Sequence, residues 1–168
     1  MSSTTMRRSE LGLTSSALLL FFMFVMKFSE GVDAVCPQGW SHFQGSCYKF
    51  IASRATYPEA LGLCEREGHE ILTVNSSEEN NFAKGLMIPR ESVWMGVNDL
   101  FNEGRWVFAK RTHDGHMTKN PVVFTRWAPG EPNNAAEEDC GEMYSNGNWN
   151  DCRCQARLYI ICETIHRD

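Results

Sequence analysis

The sequence predicts an α+β domain in which two helices precede short antiparallel sheets and one long irregular loop. Three observations carry this expectation. Two helix-start signatures, Thr56-Tyr57-Pro58-Glu59 and Ser76-Ser77-Glu78-Glu79, stand in the front half; in each, a hydroxyl is followed three residues later by a glutamate placed to reach back to the N-cap amide. From Val93 onward, short apolar runs alternate with Gly, Asn, Asp and Pro clusters, as strands joined by loops do. All seven cysteines (Cys36, Cys47, Cys64, Cys140, Cys152, Cys154 and Cys162) follow an apolar leader, which in an oxidising compartment reads as a disulfide framework. Seven is odd, so three bridges leave one thiol over, and six cysteines alone already allow 15 connectivities.

The leader is residues 1–34. Arg7 and Arg8 precede a ten-residue apolar run, Ala17 to Met26, and Val32-Asp33-Ala34 offers small residues for cleavage after Ala34. This reads as a signal peptide. A membrane span needs roughly 20 apolar residues, and Lys27 ends this run, so we expect a secreted chain without membrane insertion, its residues 35–168 forming one domain. The formal net charge is −5. Removing residues 1–34 takes away Arg7, Arg8 and Lys27 against Glu10, Glu30 and Asp33, so the balance does not change. With no basic run to neutralise phosphates, nucleic acid and anionic membranes are not expected partners.

Element by element, an aromatic-rich entry from Trp40 to Phe50 leads to a helix beginning at Thr56 and stopped by Gly68. Ala60, Leu61 and Cys64 share its core face by helical spacing. Glu70 to Val74 reads as a strand, and Ser76 caps a second helix running through Asn80 to Leu86. Val93–Val97, Trp106–Phe108 and Val122–Phe124 read as further strands. Trp94, Trp106, Trp127 and Trp149 belong by size to the core more than to an exposed platform. Asn75-Ser76-Ser77 is a glycosylation sequon. His113 and His116 form an H-x-x-H that lacks the further ligands a zinc site needs.

Between Phe124 and Tyr159 lie about 35 residues of little periodicity, longer than a structureless loop usually is in a compact domain. Three of the cysteines and two tryptophans argue that this stretch is tied down. Within it stand Glu131-Pro132-Asn133-Asn134, Glu137-Glu138-Asp139 and Asn148-Trp149-Asn150-Asp151. These are hard oxygen donors. A calcium ion takes six to eight such oxygens at roughly 2.3–2.6 Å, and an irregular loop can supply that geometry.

The segments WAPGEPNN, EEDC, GNWNDCRC and the final YIIC, in this order and with CPQGWSHFQGSCYKF and VWMGV before them, resemble the C-type lectin domain from Cys36 to about Glu163. The resemblance implies that fold and disulfides Cys36–Cys47, Cys64–Cys162 and Cys140–Cys154. Cys152 is then the spare, with a free thiol, an intermolecular bridge that would link a homo-oligomer and a shuffled pairing with Cys140 all open. It further implies a sugar-binding Ca2+ held by Glu131, Asn133, Glu138, Asn150 and Asp151, with Pro132 cis. A second calcium site is implied at Asp99, Glu103, Asn134, Glu138 and Asp139. In such lectins two vicinal sugar hydroxyls complete the metal's shell, donating protons to carboxylates such as Glu131 or Glu138 and accepting from amides such as Asn133 or Asn150. By resemblance, Glu-Pro-Asn selects equatorial 3- and 4-hydroxyls, as in mannose, fucose and N-acetylglucosamine glycans, where Gln-Pro-Asp favours galactose.

Two departures from that pattern stand out. Ala109 to Asn120 is longer than the usual turn, and Cys152 directly follows Asp151. The expected function is calcium-dependent glycan binding. The alternative is the same fold used on a protein or another non-sugar surface, since fold alone does not decide function. An enzyme is not expected: paired carboxylates can hydrolyse glycosides, but no H-E-x-x-H, G-x-S-x-G or P-loop is present, and carboxylates on calcium stay ionised.

Overall fold

The structure is a computed structural model that describes residues 36–111 and 117–165. The leader, its cleavage site and the His113/His116 pair lie outside the described residues. Among the described residues, nine strands and two helices follow in the order β1 (Ser41–Phe43), β2 (Ser46–Ala55), α1 (Tyr57–Glu65), β3 (Glu70–Ile71), α2 (Ser77–Gly85), β4 (Ser92–Asn98), β5 (Val107–Arg111), β6 (Met117–Pro121), β7 (Cys140–Tyr144), β8 (Trp149–Cys152) and β9 (Leu158–Ile165). They form one connected sheet ordered β1-β2-β9-β4-β5-β6, with β3 on β9 and the β7–β8 hairpin on β4. The strand pairings are antiparallel, as expected, with one parallel pairing between β4 and β9. The β2–β9 pairing brings the beginning and end of the domain together over Ser46↔Ile165 to Ala55↔Leu158.

Both helices start where expected. At α1 the Thr56 N–H donates to Glu59 Oε2 at 2.9 Å, closing the back half of a capping box. Ala60 and Cys64 are fully buried, while Leu61 is only half-buried. At α2 Ser76 Oγ accepts from Glu79 N at 3.1 Å, but the Glu79 carboxylate does not return to Ser76. It accepts from Asn75 N at 2.7 Å and from the Tyr48 hydroxyl at 2.6 Å. The second box is therefore half a box, because a buried tyrosine from β2 competes for the carboxylate. The same hydroxyl oxygen lies 3.3 Å from Glu163 Oε1 of β9, a carboxylate that accepts from Ser46 Oγ, Thr73 N and Thr73 Oγ1. Burial and the neighbouring Glu79 charge hold the Glu163 carboxyl above the usual carboxylate range.

The strand expected at 70–74 shrinks to Glu70–Ile71. Leu72 still donates to Ile161 O and accepts from Gly96 N, so its backbone is satisfied across two strands without forming a regular ladder. Val122–Phe124 is not a strand. Strands β5 and β6 instead pair antiparallel, in register from Val107↔Pro121 to Arg111↔Met117. The stretch 124–159 likewise contains a hairpin, β7 with β8, which its polar sequence concealed.

Two apolar clusters fill the interior. One gathers Tyr48, Leu72, Val74, Met95, Val97, Met143, Trp149 and Ile161; the other gathers Tyr57, Ala60, Ile71, Trp94 and Ile160 around Cys64, Cys162 and Cys140. Every residue of β4 after Ser92 is buried, as its continuous apolar run implies. The disulfides are Cys36–Cys47, Cys64–Cys162 and Cys140–Cys154, and Cys152 is free. Gly141 faces Val97 so closely that an added Cβ would lie 2.2 Å from Val97 Cγ1. Any side chain there forces β7 off β4.

Asn80, fully buried on α2, donates to Gly147 O at 3.0 Å and accepts from Trp149 Nε1 at 2.7 Å. Asn80→Ala orphans both partners in the interior, and each such group costs about 1–3 kcal/mol. We expect a loss of about 2–5 kcal/mol in unfolding free energy by denaturant titration, set by those two orphaned groups. A loss below about 0.5 kcal/mol would refute this bracing role.

Candidate functional site

The residues singled out around 131–151 are assembled by three pieces of backbone. β8 carries Trp149, Asn150 and Asp151, paired with Met143, Glu142 and Gly141 of β7. The loop after Trp127 is hung from β8 by Trp149 N→Arg126 O and Ala128 N→Trp149 O, both 2.8 Å. The Glu131–Pro132 peptide is cis. Beyond it Asn134, Ala136 and Glu137 adopt positive φ of 48°, 63° and 63°, a region that costs a non-glycine residue and persists only where surroundings enforce it. Part of that enforcement is visible: Asn134 N donates to Asp151 Oδ2 at 2.6 Å, Asn134 Oδ1 accepts from Glu138 N at 2.8 Å, Asn133 Oδ1 accepts from Ala135 N at 2.7 Å, and Arg153 Nε donates to Ala136 O at 3.2 Å.

The electrostatics of this loop are those of crowded anions. Asp151 is fully buried; its Oδ2 is used by Asn134, but its Oδ1 has no partner, and neither does Glu131 Oε2. Burial, then Asp151, then Glu138 push the Glu131 carboxyl above its ordinary range. A buried carboxylate oxygen without a donor is costly, and donor-free oxygens on adjacent carboxylates are what a hard cation satisfies. The residues present therefore fit a calcium ion.

A second cluster lies beside it. The carboxylate oxygens of Asp99, Glu103 and Asp139 all lie within 4.8 Å of one another, and Asp99 N donates to Asp139 O at 3.1 Å, tying the β4–β5 loop to the acidic segment. Asp99 is 2% exposed; its Oδ2 accepts from Gly104 N at 2.8 Å, and its Oδ1 has no partner. Burial raises the Asp99 carboxyl, with Glu103 and Asp139 adding to the effect. Among the described residues this is the tightest carboxylate group; Glu131, Glu138 and Asp151 do not converge as closely.

Asn150 is held through its amide nitrogen. Its Nδ2 donates to Glu142 Oε1 at 3.0 Å and to the Asp151 carbonyl at 2.5 Å, so both amide protons are occupied. Glu142 was missed by the sequence reading. It is 7% exposed, and burial raises its carboxyl. The signal available was its place two residues after Cys140 in a short alternating run, but only the β7–β8 register puts it opposite Asn150. Cys152 is half-buried beside the same carboxylates, and burial, then Glu142, then Glu138 and Asp151 push its thiol up to about 12. Asn75 of the sequon is exposed, with Ser76 occupied as a helix cap.

The fold has close counterparts. The Lectin C-type domain family model matches residues 53–164. Human C-type lectin domain family 17, member A is 41% identical over 129 residues; the match takes in 76% of this chain but only 32% of that relative's length. The carbohydrate-recognition domain of the mouse scavenger receptor C-type lectin superposes with a TM-score of 0.70 at 30% identity, over 79% of this chain and 100% of the other. The cow CD23 carbohydrate-recognition domain, solved in the presence of a GlcNAc2Man3 oligosaccharide, gives 0.69 at 30% identity over 80% and 98%. A calcium-independent type II antifreeze protein also shares the fold, at 0.67 and 27% identity over 78% and 95%. With its three disulfides, its hairpin-hung acidic loop and a match over most of its length, this chain belongs to the C-type lectin domain family, a family of binding domains.

Proposed function

We propose that this domain binds glycans of the mannose type in a calcium-dependent manner, through vicinal equatorial 3- and 4-hydroxyls. The observation that carries the reading is the set of donor-free carboxylate oxygens on Glu131 and buried Asp151, which need a cation more than they need a proton donor. Calcium, when bound, supplies coordination positions for two sugar hydroxyls. The chain's own residues set the hydrogen bonding: Glu131 and Glu138 accept hydroxyl protons, and Asn133, whose Oδ1 faces Ala135 N, offers its amide protons outward. Because Asn150 Nδ2 serves Glu142 and Asp151, the donor role falls to Asn133. Asp99, Glu103 and Asp139, with Asn134 and Glu138 beside them, would hold a second calcium that braces the loop. Three disulfides accord with an extracellular location, and residues 1–34 are proposed as the signal peptide that directs it there.

A second reading has one observation behind it, the likeness to an antifreeze protein described as calcium-independent. Chelation separates the two. Mannan binding is expected to disappear in excess EDTA and return with calcium; binding unchanged by EDTA would overturn the calcium reading. Exchanging the acceptor and donor by Glu131→Gln with Asn133→Asp is expected to move the mannose-to-galactose preference by at least about tenfold, since a site built around hydrogen bonds rejects a mismatched ligand strongly. Competitive elution with the two sugars measures it.

The pH dependence has a definite sign. The Glu131 carboxyl titrates above its usual range because of burial, Asp151 and Glu138, so as pH falls, protons compete for these oxygens before ordinary carboxylates are protonated. Calcium affinity by titration calorimetry is expected to drop between pH 7 and about pH 5, a window set by ordinary carboxylate values shifted upward. An affinity that stays constant would count against the assigned ligands. For Cys152 we expect a monomer band on non-reducing gels, the same in Cys152→Ser. A dimer band lost in that variant would establish the intermolecular bridge.

A further inference from the structure

Outside the acidic loop, a pocket of about 480 Å³ opens between the β4–β5 loop and strand β6. Phe101, Arg105, Trp106, Lys119, Pro121 and Val122 are among its walls. It combines two cationic side chains with aromatic and apolar surface, on a chain whose net charge is −5. Phe101 is 47% exposed, and the Lys119 ammonium stands 3.9 Å from its ring centroid, a cation–π contact that holds the charge at the rim. The ion pairs Arg54–Glu91 and Arg157–Glu59 belong to other segments.

The loop sorts its charges to two sides. Asp99 accepts from Gly104 N, and its carbonyl accepts from Asn102 N, closing a tight turn in which Gly104 has a φ of +75°. Asp99 and Glu103 then converge on Asp139, whereas Arg105, whose N–H is fixed on Asn102 O, lines the pocket. The volume suits one ring-sized unit, at the small end of ligand sites, which run from about 300 to 1,000 Å³. Trp106 packs edge-on against Trp127 at 4.8 Å between centroids, and Trp127 bridges to Trp149, so the pocket and the loop of Glu131 share a wall of tryptophans.

We propose that this pocket binds an anionic saccharide unit, sulfated or carboxylated. The ring rests against Phe101, Pro121 and Val122, and the anion lies between Arg105 and Lys119. A sugar face is apolar enough for the first surface, and its anion matches the second by charge-assisted hydrogen bonds. The site is made of different side chains from the acidic loop and does not need the proposed function to hold.

The test is calorimetric titration of the full chain in calcium buffer with excess mannose, so that the loop of Glu131 is occupied if it binds mannose and inert if it does not. The probes are a chondroitin sulfate tetrasaccharide, a hyaluronan tetrasaccharide carrying carboxylates only, and neutral cellotetraose. Binding of at least one anionic probe and none of the neutral one is expected; the two anionic arms separate sulfate from carboxylate recognition. Arg105→Gln with Lys119→Gln should weaken that binding on the order of tenfold or more, since it removes both charge-assisted contacts to the anion. Phe101→Ala, which removes the ring and no charge, should also weaken it measurably. A charge-matched control, Arg66→Gln with Lys84→Gln, should leave it intact, and circular dichroism melts confirm that each variant folds. Equal binding of neutral and anionic probes, equal loss in both double variants, or no effect of Arg105→Gln with Lys119→Gln would each overturn the proposal.

Discussion

The contact on which the rest of the binding face depends is the one between Trp149 and Asn80. The indole is fully buried, its N–H is donated to Asn80 Oδ1, and Asn80 in turn holds Gly147 O. A helix from the front half thereby clamps both the turn of the β7–β8 hairpin and the first residue of β8. From the backbone of that tryptophan hang Arg126 and Ala128, and directly after it come Asn150 and Asp151. One apolar side chain with a single satisfied donor thus converts core packing into the position of a polar loop. Neighbouring rings extend the anchorage, since Phe124 and Trp127 both pack edge-on against Trp149 at 5.7 Å.

Held in this way, the loop can keep an arrangement that relaxed backbone would abandon. Three residues of the loop, Asn134, Ala136 and Glu137, have positive φ, and the six carboxylates of the two clusters crowd together with little cationic compensation. Repulsion of this kind opposes folding when nothing neutralises it. The donors that the chain does provide are backbone amides, Asn134 N to Asp151 and Gly104 N to Asp99, each of which leaves one oxygen of the buried carboxylate open. The protein thus sacrifices local stability at the loop and recovers it from the interior, where Cys140–Cys154 and the close approach of Gly141 to Val97 lock the hairpin against β4.

Charge sorting follows from the same frame. The β4–β5 loop sends Asp99 and Glu103 toward Asp139 and leaves Arg105 with Lys119 beside Phe101. Glu103 and Arg105, only two residues apart in sequence, end on different surfaces because Gly104 turns the chain between them. Strand β6 supplies Lys119 and so contributes a wall to the pocket.

What the sequence determined by itself was whatever short-range chemistry encodes. The Thr56/Glu59 and Ser76 caps, the buried run of β4 and the oxygen-rich segments at 131–134 and 137–139 were all legible, because capping, hydrophobic runs and ligand chemistry depend on residues a few positions apart. Family resemblance supplied the disulfide pairing and the cis peptide at Pro132, which spacing alone left open. The rest required the tertiary structure. Glu79 left its expected cap for Tyr48 because a buried hydroxyl from another strand competes for it. The β7–β8 hairpin was hidden because its residues are polar on a face that packs against the acidic loop, and Glu142 was overlooked until register set it opposite Asn150. The same holds for Arg105 and Lys119: nothing local joins them, and only the pairing of β5 with β6 brings them to one pocket. Local propensity acts along the chain, whereas partners for buried polar groups are chosen across it, so the fold class could be read in advance and the hydrogen-bond assignments within the site could not.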